Sequence, residues 1–113
     1  MGRHLNNEKV FGQIAARLLS CDSTHYDCQC DLVVTESYLY ILEDNLDGTY
    51  DCHFRIPTSR VKSLHVYNST CFKIAYNNET FKQSFIFFEE CSKSEIKRLT
   101  KALKLKEHYS DTP

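Results

Sequence analysis

One amphipathic helix closing a chain of short alternating segments is the feature that most limits what this sequence can fold into. Ser92-Lys93-Ser94-Glu95 has the form of a capping box, in which Ser92 accepts from an amide near Glu95 and Glu95 reaches back to the Ser92 amide. Ile96, Leu99, Ala102 and Leu103 then recur at helical spacing and predict one buried stripe in a helix running through Lys106. Lys97, Arg98, Lys101 and Lys104 fall largely off that stripe. Upstream, apolar residues mostly alternate with polar ones in runs bounded by turn residues, the pattern of half-buried strands. Few small folds place many strands first and one helix last.

The strand segments can be read in order. Ile14–Leu19 either belongs to a helix opening near Asn6 or forms a first strand, and periodicity does not decide between them. After a polar loop over Ser20–Asp27, strands are expected at 28–35 and at Tyr38–Glu43. Asp47-Gly48 is the strongest hairpin signal and precedes a strand over Tyr50–Ile56, which Pro57 ends because it cannot donate to a ladder. Strands over Arg60–Tyr67, with a bulge near Ser63-Leu64, over Cys71–Tyr76 and over Phe81–Glu89 complete the set. Phe85-Ile86-Phe87-Phe88 is apolar on both faces and implies cover on both sides, which the helix could supply. The sequons Asn68-Ser69-Thr70 and Asn78-Glu79-Thr80 read as turn residues in a cytosolic chain.

Bulk properties exclude more than they select. A length of 113 residues suits one domain, and 42% apolar with 26% charged residues is ordinary for a globular chain. A net charge of -1 gives no overall field toward nucleic acid or acidic membranes. No apolar run is long enough to span a bilayer, and the polar start lacks a signal-peptide core. Gly2 followed by Asn6 fails the myristoylation pattern. The six cysteines could pair in a secreted chain, but a core of this size needs no staples, and free cytoplasmic thiols are expected. Alternation turns Cys28, Cys30 and Cys52 toward the core.

Counting Ile14–Leu19 as a strand gives seven strands before one helix, an order that resembles the pleckstrin-homology (PH) superfold. The best local match is Asp31-Leu32-Val33-Val34-Thr35-Glu36-Ser37-Tyr38-Leu39-Tyr40-Ile41-Leu42, similar to that family's second and third strands. Phe54 through Leu64 resembles its passage from fourth to fifth strand. The resemblance implies a seven-stranded, partly open barrel of two antiparallel sheets capped by the helix over residues 12–106. Residues 1–11 would be an N-terminal extension and 107–113 a C-terminal tail. The chain lacks the Trp that many members carry in the closing helix, so Leu99 or Leu103 would fill that space.

The same resemblance implies two kinds of site. Headgroup binding needs converging cations around the first hairpin loop, but Ser20–Asp27 offers carboxylates, and only Arg17 lies nearby. Lys73 and Lys82, with Lys62, would carry any weaker anionic-lipid contact. Peptide binding by strand addition would use the 60–67 edge, with Arg60, Lys62, His65 and Tyr67 outward and Leu99 and Leu103 across a groove. A zinc site from Cys28-Gln29-Cys30 and Cys52-His53 is disfavoured, because a Cys-x-Cys along a strand spreads its thiols and neighbouring residues point to opposite faces. No nucleophile, acid–base pair or phosphate loop stands out, so neither catalysis nor a cofactor is expected. The expectation is a non-catalytic binding module of a cytoplasmic scaffold or adaptor with a protein partner and no nucleic acid. Peripheral phosphoinositide or anionic-membrane contact is the alternative.

Overall fold

The computed structural model describes residues 8–68 and 70–104 in full and residues 4–5 and 107–109 by backbone. The chain is mainly β, with one C-terminal helix. The strands are β1 (His4–Leu5), β2 (Glu8–Cys21), β3 (Thr24–Thr35), β4 (Tyr38–Asp44), β5 (Tyr50–Pro57), β6 (Val61–Val66), β7 (Phe72–Asn77), β8 (Gln83–Glu89) and β9 (Glu107–Tyr109). A 3-10 turn over Thr58–Arg60 links β5 to β6, and helix α1 spans Lys93–Ala102.

Seven of these strands, β2 to β8, pair antiparallel in one sheet ordered β5-β4-β3-β2-β8-β7-β6, with β9 added parallel to β6 and β1 paired with β2. The path does not close, since β5 ends it on one side. Ile14–Leu19 is therefore strand, within a β2 of 14 residues that begins at Glu8, inside the expected extension. Such length is more than twice the usual strand. Register shifts between Val10 and Gly12 and between Leu18 and Ser20 bend it, and its end from Arg17 to Cys21 pairs with β8 as well as β3.

The helix serves β2 where β8 does not reach. Ser92 caps it by accepting from the Glu95 amide at 3.2 Å, half of the expected box. The Glu95 carboxylate does not return to the Ser92 amide; it accepts from the Ser92 hydroxyl at 3.1 Å and from the Ala15 amide at 3.4 Å. Arg98 donates to the Gln13 carbonyl, and a Cβ at Gly12 would stand 2.9 Å from the Ala102 Cβ, so that crossing demands glycine. The helix ends at Ala102, short of Lys106, because Leu103 caps it and Lys104 turns left-handed at φ 58°.

One core joins all of this. Ile14, Leu18, Leu32, Ile41, Leu64, Phe72, Ile74 and Phe88 share it with Ile96, Leu99 and Leu103 of the helix. Phe72 and Phe88 stack at 4.9 Å. The two-sided cover expected for 85–88 is not found. Ile86 and Phe88 are buried, while Phe85 and Phe87 are half-buried on the outer face beneath Lys73. The helix lies against β2 instead.

Several turns are tighter or longer than expected. The polar loop over Ser20–Asp27 contracts to Asp22-Ser23, with Asp22 at φ 52° and its carboxylate accepting from the Phe85 amide. Asp44–Tyr50 is closed by a five-residue loop in which Asp47 accepts from the Thr49 amide and Gly48 takes φ 90°. Asn68 and Asn78 each accept from the amide two residues on, as turn residues do. Phe81 belongs to the turn before β8, at φ 62° and 77% exposed.

Candidate functional site

The β6 edge, the expected seat of a peptide strand, is occupied by the chain itself. Leu64, His65 and Val66 face Glu107, His108 and Tyr109 in a parallel register, so residues expected to fray as a tail form a strand there. Residues 110–113 lie outside the described residues. Val61, Leu64 and Val66 point inward and are buried, which anchors the strand to the core. A register shift between Val61 and Ser63 makes Lys62 the bulged residue, one position before the break expected near Ser63-Leu64, and leaves it exposed.

The remaining peptide candidates divide. The Arg60 guanidinium lies 5.5 Å over the Phe81 ring, and Tyr67 stacks on Phe87 at 6.2 Å. His65 sits half-buried opposite Lys73. Leu99 and Leu103, expected to line a groove, are 1% and 9% exposed in the core and present nothing to a ligand. The amphipathic stripe is spent on packing.

The lipid candidates do not converge. Arg17 donates to Asp27 at 2.6 Å and lies 3.8 Å from Glu90, so its charge is already matched. Lys73 sits over the rings of Phe85 and Tyr67 at 4.6 and 5.6 Å. Lys82 precedes β8 at the other end of the β7–β8 hairpin, about 17 Å along the strands from Lys73 at about 3.3 Å per residue.

The thiols differ more from expectation than any other group. All six cysteines are free. Cys52 is exposed, not core-facing, because β5 pairs Phe54 with Ile41 and Cys52 with Leu42, leaving His53 as an extra residue that flips the alternation. The Cys28 and Cys30 sulfurs are 3.6 Å apart rather than spread along the strand, since both side chains lean together on one face. His53 turns toward them, with Nε2 3.9 Å from the Cys28 sulfur and 2.7 Å from Glu43 Oε1. Burial, reinforced by Cys28 and Glu43, pushes the Cys30 thiol well above its ordinary value. Burial also raises Cys91 to about 12 and raises Cys21, which lies 3.7 Å from the Tyr76 hydroxyl.

A cleft of about 760 Å³ marks where the sheet fails to close, lined by Tyr38, Arg55, Arg60, Tyr76 and Glu79. Arg55 packs over the Tyr38 ring at 4.9 Å along its wall. No helix among the described residues is long and apolar enough to cross a membrane. No family model matches this sequence, and no curated protein matches it closely.

Proposed function

We propose that this chain is a PH-like binding module, non-catalytic, that recognises a protein partner by adding a strand to the β6 edge. The order of strands β2 to β8 and the helix that follows β8 support the PH-like reading, in which the bent β2 would be shared by two sheets and α1 would cap one end. The observation that carries the recognition mode is the pairing of Glu107–Tyr109 with Leu64–Val66. An edge whose amides and carbonyls accept a strand in cis has the bonding row to accept one in trans, with side-chain contacts supplying selectivity. The partner would compete with the chain's own segment, so a scaffold or adaptor role includes release of that segment.

The test is a titration of the isotopically labelled full chain, carrying His108→Pro to weaken the cis strand, with a synthetic peptide of residues 104–113. Amide shifts should concentrate on Val61–Val66. Shifts confined to Tyr50–Pro57, or none at saturating peptide, would overturn the reading. The membrane alternative has less behind it, because Arg17 is ion-paired and Lys73 and Lys82 stand apart.

A further inference from the structure

We propose that Cys28, Cys30 and His53 form a binding site for one thiophilic divalent cation of the zinc class, with Glu43, hydrogen-bonded to His53, swinging in as the fourth ligand. The ligating atoms of the first three all lie within 4.8 Å of one another. Two thiolates each about 2.3 Å from a tetrahedral zinc stand about 3.8 Å apart, and a thiolate and an imidazole nitrogen stand about 3.6 Å apart. In this structure the sulfurs stand 3.6 Å apart, and Cys28 lies 3.9 Å from His53 Nε2. Those two separations need to change by only a few tenths of an ångström, while Cys30 and His53, within 4.8 Å of each other, would close by up to about 1.2 Å as the ion enters.

Each element contributes for a local reason. Cys28 and Cys30 share one face of β3 because they are two residues apart. The bulge at His53 turns its ring to that face and sends Cys52 away. Glu43 stands opposite Cys30 in the β3–β4 register, and its carboxylate lies 2.7 Å from His53 Nε2. Two thiolates, an imidazole and a carboxylate suit zinc by softness and by charge.

Access and enclosure are both provided. Cys30 is buried and Cys28 half-buried, while the His53 and Glu43 side chains are 24% and 35% exposed, leaving a path from solvent. The Tyr26 ring meets His53 edge-on at 5.5 Å and Phe54 at 6.0 Å, forming an apolar wall beside the ligands. An apolar wall of this kind limits solvent access to the ion and lowers the dielectric around it. On binding, the two thiols would release their protons to solvent. His53 would bind through Nε2 as neutral imidazole with its proton on Nδ1, and Glu43 would exchange its bond to His53 for the ion.

The test uses the reduced, chelator-stripped full chain titrated with Co²⁺ and then Zn²⁺. One equivalent of cobalt should give thiolate-to-metal charge transfer and tetrahedral visible bands, both abolished by stoichiometric zinc. Calorimetry in buffers of different ionisation enthalpy should report two protons released per zinc. Cys28→Ser and His53→Gln should each weaken zinc by at least about tenfold, with circular dichroism unchanged, and Cys52→Ser should leave affinity as it was. The proposal is overturned if the reduced chain takes up no cobalt. It is equally overturned if uptake survives the Cys28→Ser/His53→Gln double variant, which would assign binding to other thiols.

Discussion

The two edges of this sheet solve one problem in opposite ways. An exposed edge strand offers unpaired amides and carbonyls to any other chain. At β5 the answer is local: charged Asp51 and Arg55 point outward, His53 makes a bulge, and Pro57 ends the strand without a donor. At β6 the answer is distant in sequence, since residues more than forty positions later return to lie along Leu64–Val66. A strand built to refuse pairing cannot also recruit a partner through its backbone. A strand protected by a removable cover can, and the proposed recognition therefore uses β6. The bulge that spoils β5 as a docking edge is also what delivers His53 to the thiols.

The two edges differ first in how they are anchored. Leu64 is 0% exposed on β6, whereas Phe54 on β5 is only partly buried against the core. Leu64→Ala should cost about 2–5 kcal/mol in urea denaturation, and Phe54→Ala clearly less. Equal losses would mean that both edges are anchored alike and that the difference lies only in their cover.

Alkaline denaturation sharpens the contrast on the covered side. Cys91 donates its backbone amide to Thr70 beside the β6–β7 turn, is 0% exposed, and has its thiol raised by burial to about 12. A group kept protonated by folding contributes its full stability below the unfolded value near 9, and that contribution is lost as pH climbs toward 12. Each such thiol should steepen the fall by about 1.4 kcal/mol per pH unit. Urea midpoints followed from pH 8 to pH 11 should therefore drop less for Cys91→Ala than for the parent. An unchanged slope would show that this thiol ionises without opening the structure.

Much of the framework could be read from residue patterns because it is local. Alternation located the strands from Cys28 to Thr35 and from Tyr38 to Glu43, and the Ser92 cap located the helix start. What escaped was set by partners or by single inserted residues. The Asp22-Ser23 hairpin carries no glycine to announce it, so polar composition reads as a loop although Thr24–Asp27 continue the strand. The bulge at His53 leaves no mark in the sequence, yet it exposes Cys52 and assembles Cys28, Cys30 and His53. The stripe residues Leu99 and Leu103 were legible as apolar, but whether they line a groove or fill a core depends on where the helix docks. The return of Glu107–Tyr109 to β6 is a long-range pairing with no local signature.

Amide hydrogen exchange at Leu64–Val66, compared between the parent chain and His108→Pro, reports whether Glu107–Tyr109 covers the β6 edge. Proline removes an amide from the covering strand and fixes its backbone. Exchange should then accelerate at Leu64–Val66 while Tyr50–Pro57 exchanges as before, marking β6 as an edge held under a removable strand. Unchanged protection at Leu64–Val66 would contradict the account, because that edge would then owe nothing to the segment said to cover it.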